Sequence, residues 1–405
     1  MSPASWLKLP LKRVAEVMPS NVDKHTVEGE LPVRLCNYVD VYNNDRIDDS
    51  IDFMAATASE AQITRFTLKA QDVLVTKDSE EPSDIGVPAY VPRDMPGVVC
   101  GYHLAVLRPD LMRVHGAFLH WALQSTEVQA YYETAATGIS RYALGLNDLG
   151  MTPLHLPDRP TQARIANFLD EQTARIDALI AEKERLNELL TEIIFSSAGQ
   201  CLEVKKCNWS RLLHACKTAS RPVDQQDGES YRRLGLFNRG RGIFIRDDTD
   251  KDDMGDSEFY WVEAGDLVIS GQFAWEGAVA LAAPEHSGCV VSHRFPVIRG
   301  RAGVAVTEYL FALFMTQFGE FVLNDCARGS AGRNRPLNTS LLMKWKIPIP
   351  PMAKQEEIAG LVRLREGLRK VSERSVALLR EYRASLISAT VTGQLDIDSF
   401  GREVA

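Results

Sequence analysis

The chain has 405 residues, 45% hydrophobic and 25% charged, with a formal net charge of -8. That length calls for two or more domains, and the composition excludes the fibrous, disordered and disulfide-scaffold classes. Seven scattered cysteines with no Cys-x-x-Cys pair predict reduced thiols rather than bridges or a zinc site. No run reaches the roughly 18 apolar residues of a membrane span, and Met1 to Pro10 lacks an apolar signal core, so the expected location is cytoplasmic.

Residues 1–150 read as a first globule. Pro32 to Tyr42 alternates as a strand and Asn43-Asn44-Asp45 ends it as a turn. Phe66 to Thr76 predicts a strand pair broken at Ala70-Gln71-Asp72, and Val98 to Leu107 predicts a further strand. Ala117 to Glu133 has the apolar spacing of one amphipathic helix. Gly138 to Asn147 reads as a loop.

Residues 151–200 read as a helical spacer. A Pro-flanked lead-in at Leu154-His155-Leu156-Pro157 precedes a helix pattern from Thr161 to Ala198. Apolar side chains step by four and three at Ile165, Leu169, Ile176, Leu179, Leu186, Leu190 and Ile193. That is the seam of a coiled coil.

Residues 201–345 repeat the order of the first globule. Tyr231 to Leu236, Asp266 to Ser270, Gly277 to Ala282 and Cys289 to Ile298 read as strands, and Glu308 to Val322 as a helix. Residues 346–405 form a second helical spacer. Its lead-in is Ile347-Pro348-Ile349-Pro350-Pro351, and its seam is Leu361, Leu364, Leu368, Val371, Leu378 and Tyr382. Gly199 and Gly393 stand where helix C-caps are expected.

The halves keep one register. Asp72-Val73-Leu74-Val75 matches Asp266-Leu267-Val268-Ile269, Gln162 matches Gln355, and Gly199-Gln200 matches Gly393-Gln394, at offsets of 193 or 194. Three anchors at nearly one offset predict a tandem duplication. The expected fold class is α+β. Two duplicated globules are separated by two long helices that can bury their seams against each other within one chain.

Catalytic motifs are missing. There is no P-loop, no dinucleotide fingerprint, no His-Glu-x-x-His and no Gly-x-Ser-x-Gly. What stands out is recognition chemistry. The charge is uneven: residues 1–150 hold 13 basic and 20 acidic side chains, whereas 201–345 hold 18 of each. An acidic total therefore hides local basic clusters, and phosphate contacts need only a local one. Arg232, Arg233, Asn238, Arg239 and Arg241, with Arg246 close behind, are interleaved with Tyr231, Phe237 and Phe244 around a Gly-rich turn. Arg pairs bidentately with guanine or phosphate, and Asn with adenine. Arg328, Arg333, Asn334 and Arg335 form a second such cluster. In the first half Asn37, Asn43, Asn44, Arg46, Lys77 and Arg141 are the counterparts. These residues are the expected DNA contacts. A coiled-coil scaffold that binds proteins is the alternative from another class.

Longer strings add a resemblance. Ile347-Pro-Ile-Pro-Pro-Met-Ala-Lys-Gln-Glu-Glu-Ile358, Tyr382-Arg-Ala-Ser-Leu-Ile-Ser-Ala-Thr-Val-Thr-Gly-Gln-Leu-Asp396 and Leu156-Pro-Asp-Arg-Pro-Thr-Gln-Ala-Arg-Ile165 resemble the specificity subunits of type I restriction-modification enzymes. So do Tyr231 to Gly242, Gly265 to Ser270 and Arg335-Pro336-Leu337-Asn338; the first half carries Arg141 to Asn147 at the last position instead. The resemblance implies two target recognition domains, each reading half of a split DNA sequence, with the helices pairing as an antiparallel coiled coil and holding them apart. It implies no catalytic residue, metal or cofactor in this chain. Modification subunits would bring S-adenosylmethionine, and restriction subunits would bring ATP- and Mg-dependent translocation and cleavage.

Overall fold

The computed structural model describes residues 6–200, 207–224, 230–255, 257–327 and 335–400. The chain divides into two compact units: Met1–Ala181 with Ser375–Ala405, and Glu182–Arg374. Each unit holds one globule and a length of both long helices, Arg159–Gln200 and Met352–Val391.

In the first unit a four-stranded antiparallel sheet runs in the order Ala15–Pro19, Leu104–Pro109, Val73–Thr76, Pro88–Tyr90. Its strands read as continuous apolar runs because both faces are covered. Val73, Val75, Ala105 and Leu107 pack on one core, whereas Leu74, Leu104 and Val106 pack on another. The first core also takes Phe118, Leu119, Val128 and Tyr132 from the helices Gly116–Leu123 and Thr126–Ala135. Ile165, Leu169 and Ile176 of the first long helix join it, as do Leu386, Ile387 and Val391 of the second. The second core backs a three-stranded sheet, Met54–Ala58, Leu31–Cys36, Val98–Cys100, whose last pair is parallel.

The second unit repeats the plan. One four-stranded sheet is ordered Cys216–Thr218, Val297–Gly300, Leu267–Ile269, Val279–Leu281. The other is ordered Ile243–Asp250, Ser230–Leu236, Cys289–Ser292, Phe259–Val262. The helices Thr307–Phe314 and Gln317–Cys326 share a core with Ile194 and Ala198 of the first long helix and with Ile358 and Val362 of the second.

The duplication extends to single hydrogen bonds. Gln162 accepts from the His115 amide at 2.8 Å and donates to the carbonyls of Arg113 and Pro157 at 3.1 and 2.9 Å. Gln355 accepts from the Val306 amide at 3.0 Å and donates to the carbonyls of Val304 and Pro350 at 3.0 and 2.9 Å. Both amides are buried, so each must be fully paired, and the same pairing was kept in both copies. The two aspartates of the repeated strand motif are equally constrained. Asp72 is buried against Arg108 at 2.7 Å, and Asp266 is buried against both Arg221, at 2.9 Å, and Arg299. The lead-ins to the long helices are edge strands: Pro153–Leu156 pairs with Leu7–Pro10, and Lys346–Ile349 with Asn208–Arg211.

Several expected elements are shorter than their apolar runs. The first strand stops at Cys36, and Tyr38–Tyr42 is a helix, because the Asp40 carboxylate takes the Asn37 amide at 2.7 Å and caps it. Glu60–Phe66 is helical where a strand was expected to begin, since Ser59 and Gln62 form a capping box. Gly101 interrupts the third run, giving Val98–Cys100 and Leu104–Pro109. The single expected helices are pairs, each broken by a hydroxyl N-cap, Ser125 in one unit and Thr316 in the other. Gly199 lies inside its helix, whereas Gly393, at φ 75°, ends its own.

The helix seam also needs correcting. Ile165, Leu169 and Ile176 are buried as expected, and Leu361 and Leu190 are partly buried. Leu179, Leu186, Ile193, Leu364, Leu368, Val371, Leu378 and Tyr382 are exposed. From Ile180 onward in the first helix, and throughout the second, the seam runs one position later. In the second unit Arg365 Nε donates to Thr191 Oγ1 at 3.0 Å and Ser372 Oγ to the Lys183 carbonyl at 3.5 Å, which makes the pair antiparallel. In the first unit Val376, Leu386 and Thr390 are buried, and Arg383 lies 3.2 Å from Asp177. The seam thus includes Thr191, Arg365, Ser372, Arg383 and Thr390. An apolar-periodicity reading passes over such residues and settles on the leucine row beside them.

Candidate nucleic-acid interface

In the first unit the site arises from parallel pairing. Cys36 and Cys100 are register partners on the parallel strands, so both chains leave the sheet at the same edge. Asn37 and Tyr38 emerge beside Gly101, Tyr102 and His103. A Cβ on Gly101 would come within 2.8 Å of the Cys36 carbonyl, which is why the approach needs glycine. With Val22 to His25 these residues line a cleft of about 310 Å³. Lys77, one residue past the strand Val73–Thr76, places its ammonium 4.8 Å from the Tyr102 ring centre. Arg141 is brought in by the pairing of Tyr142–Ala143 with Asp78–Ser79. It binds Asp78 at 2.8 Å, and the other oxygen of Asp78 lies 2.9 Å from His103 Nδ1.

Asn37, Lys77 and Arg141 therefore converge, and they meet Tyr38, Tyr102, His103, Lys24 and His25. His103 lies inside the run Val98 to Leu107, which predicts only a strand. Its signal was the glycine two positions earlier, which splits that run. The remaining expected contacts of this half lie in the segment after the short helix. Asn43 caps that helix and is exposed. Asn44 Nδ2 donates to the Asp40 carbonyl at 2.9 Å. Arg46 is held by Asp170 of the first long helix at 2.6 Å and lies over the Tyr90 ring.

In the second unit the corresponding segment is the hairpin loop between Ser230–Leu236 and Ile243–Asp250. Arg239, Gly240 and Gly242 have φ of 57°, 62° and 110°, a left-handed path in which the arginine is the unusual member. The loop is fixed from below by its neighbours. The Arg239 amide donates to the Glu276 carbonyl at 3.1 Å and the Gly240 amide to the Gly277 carbonyl at 3.0 Å, and the Asn238 side chain donates to the Glu276 carboxylate.

Around the loop, guanidinium groups lie on aromatic rings: Arg241 on Phe237 at 5.6 Å, Arg246 on Phe244 at 5.8 Å, Arg233 on Phe259 at 5.7 Å and Arg335 on Trp275 at 5.1 Å. A guanidinium held over a ring face keeps donor N–H groups available for a phosphate or a guanine. Arg239 and Arg232 are exposed, the latter across from Asp248 in the hairpin. Arg328, Arg333 and Asn334 lie outside the described residues. Phe259 and Trp275 were missed because they come from segments distant in sequence. Among the described residues no group of three His, Cys, Asp or Glu side chains is placed to hold a metal ion.

Beneath the first-unit segment lies a buried histidine. His120 Nε2 is 2.9 Å from Gln124 Nε2, and its ring is 3.9 Å from Asp45. Burial pushes its pKa down to about 4; Asp45 and Asp170 favour the cation, and Arg46 and Arg383 oppose it. The unfolded chain binds that proton near pH 6.5, whereas the fold resists it. Stability should therefore be full above about pH 6.5 and decline toward pH 4 by up to about 1.4 kcal/mol per unit. Urea midpoints across this range should show the slope in the wild-type chain and a flatter one in His120→Gln. An equal slope in both would assign the acid sensitivity to other groups.

Comparison with known proteins bears on this geometry. No protein-family model matches the sequence, and no curated protein matches it. Solved structures do. A chain of a type I R-M system, studied for its complex assembly and conformational transition, matches with a TM-score of 0.60 at 16% identity, covering 98% of this chain and 100% of that one. The two chains share one fold. The HsdS subunit from Thermoanaerobacter tengcongensis matches at 17% identity over 97% of this chain and 98% of that chain, with a TM-score of 0.44. The type I restriction-modification S subunit from M. genitalium matches at 14% identity over 96% of each chain, with a TM-score of 0.49. The shared fold spans both units and both long helices, and no helix among the described residues is long and apolar enough to cross a membrane.

Proposed function

We propose that this chain is the DNA-specificity subunit of a type I restriction-modification complex. The observation that carries the reading is the duplicated unit, which presents basic and aromatic side chains on the same part of its sheet in both copies, in a fold shared over the full length with a type I R-M chain. Each unit reads one half of a bipartite, asymmetric target. The first uses the cleft of Asn37 and His103, with Lys77 and Arg141 beside it, and the neighbouring loop of Asn43 and Asn44. The second uses Arg239, Arg241 and the ring-supported arginines. Phosphate contacts set the position on the duplex, and the edges of Arg and Asn side chains discriminate bases.

The helices supply spacing and docking. The exposed rows, Leu186, Ile193, Leu364, Leu368 and Val371 in the second unit and Leu179, Leu378 and Tyr382 in the first, are more apolar than a solvated helix face requires. Covering each of these half-exposed leucines would contribute roughly 1 kcal/mol, about half the value of a full burial. They suit the apolar faces of modification subunits. In this reading S-adenosylmethionine, ATP and Mg belong to partner subunits, and the chain works in the cytoplasm without chemistry of its own.

The test is a salt titration of duplex binding by the chain assembled with its modification subunits, together with sequencing of the motif that the complex methylates. The logarithm of affinity should fall with the logarithm of salt concentration by about 0.9 per phosphate contacted. A flat response with no methylated motif would favour a protein-binding scaffold instead. Arg239→Ala should weaken or relax reading of one half-site by about 1–3 kcal/mol per lost base contact and leave the other half unchanged. Equal loss at both halves would remove Arg239 from the reading surface.

A further inference from the structure

In both units the segment that carries candidate reading residues is tied to an arginine of the second long helix. In the first unit Arg383 binds the Asp45 carboxylate at 2.6 Å and donates to Gln124 Oε1 at 3.2 Å. Its Nε lies 3.2 Å from Asp177, and its guanidinium lies over the Trp121 ring at 5.6 Å. Gln124 in turn donates to the other oxygen of Asp45 at 3.0 Å. Asp45 directly follows Asn43 and Asn44, and the next residue, Arg46, is bound to Asp170, which also accepts from Trp121 Nε1 at 3.0 Å. Two adjacent loop residues are thus fastened to two different helices.

In the second unit Arg365 plays the same part with backbone in place of carboxylate. Its side chain is 7% exposed. One NH donates to the Gly240 carbonyl at 3.4 Å and Nε to Thr191 Oγ1 at 3.0 Å, with Glu366 balancing the charge. Arg369, one turn on, packs beside Gly242, where a Cβ would stand 3.3 Å from its guanidinium.

An arginine in a helix seam costs stability to the extent that it is buried and its donors go unused, and Arg365 is buried and Arg383 partly so. Its presence twice, each time reaching out of the seam to the loop on the same part of the duplicated sheet, is not explained by helix pairing. We infer that Arg383 and Arg365 are positioning residues, each fixing the reading loop of its own unit on the helix frame and so setting the discrimination of one half-site. This rests on the DNA-reading function proposed above.

The test uses the full chain assembled with its modification subunits. The probes are three duplexes: the motif that the wild-type complex methylates, and versions scrambled in one half or the other. Arg383→Ala should lower discrimination by about tenfold or more at one half-site, and Arg365→Ala at the other, each leaving the opposite half as in the wild type. Reversing the pair, Asp45→Arg with Arg383→Asp, should restore part of the loss. Amide hydrogen exchange on the chain without DNA should quicken around residues 43–46 in the first variant and 237–242 in the second. A uniform loss of affinity for all three duplexes, or unchanged exchange in both loops, would overturn the inference. If the wild-type complex discriminates among none of the duplexes, the proposed function fails, and the exchange measurement still decides whether the arginines hold the loops.

Discussion

Inserting one heptad into each long helix, after Ala181 and before Ser375, should lengthen the unspecified gap of the methylated motif by about three base pairs. The estimate follows from geometry. Seven helical residues add roughly 10.5 Å at 1.5 Å each, and duplex DNA rises ~3.4 Å per base pair along a strand. These points are where the compact units divide, so both reading surfaces keep their local contacts. A whole heptad in both helices preserves the alternation of the seam, whereas an insertion in one helix alone would offset it. The sequences of the two half-sites should not change. Sequencing of methylated DNA from cells carrying the variant gives the answer directly. An unchanged gap would remove the helices as the spacing element, and altered half-sites would show that spacing and reading are not separable.

The second large effect concerns stability. Asp266→Ala should lower the stability of the second unit by about 3 kcal/mol, the lower end for breaking a buried ion pair, since both arginine partners reach solvent in part. The carboxylate is fully buried, accepts from Arg221 and Arg299, and also takes the Glu263 amide at 2.9 Å. Removing it leaves one amide donor without its acceptor and two guanidinium groups with only the half-exposed Glu263 as a carboxylate partner. The melting transition should fall by roughly 6–12 °C for a unit of this size. Replacing Arg221 and Arg299 by methionine in the same chain should recover much of the loss, because well-packed apolar side chains can stand in for a buried ion network. A melting temperature that stays at the wild-type value in Asp266→Ala would mean that the strand is held by its apolar neighbours alone.

The parts of the fold legible in the sequence were those with few chemical solutions. A buried aspartate ahead of a strand and a buried glutamine at a helix start must each satisfy several partners, so both copies retained them and the constant offset showed through. The apolar strand runs were legible for a related reason: burial on both faces leaves no polar alternation to misread. Element ends were not legible where a local cap competed with the run, as at Asn37, Ser59, Ser125 and Thr316. The helix pairing was legible as a fact but not in its register, because Arg365 and Arg383 occupy inner positions and leucines occupy outer ones. The arginine-rich hairpin could be read because its residues are consecutive. The first-unit cleft could not, since it gathers residues 22–25, 37–38 and 101–103 through a parallel strand pairing that joins positions 64 apart, with Lys77 and Arg141 brought beside Tyr102 and His103 from two further segments.

The polar residues of the helix seam have a further consequence. A seam of leucines alone would be nearly degenerate, since sliding one helix by a heptad would bring apolar side chains back onto apolar side chains. Here a slide by one heptad would carry Arg365 away from Thr191, Ser372 from the Lys183 carbonyl and Arg383 from Asp177. The slide would strand the buried Arg365 and leave the partly buried Ser372 and Arg383 without these partners. The pair therefore behaves like a keyed shaft, able to engage at one setting only. In the proposed function the pair is a length standard, useful only if its zero mark cannot drift, and these few side chains are what hold it.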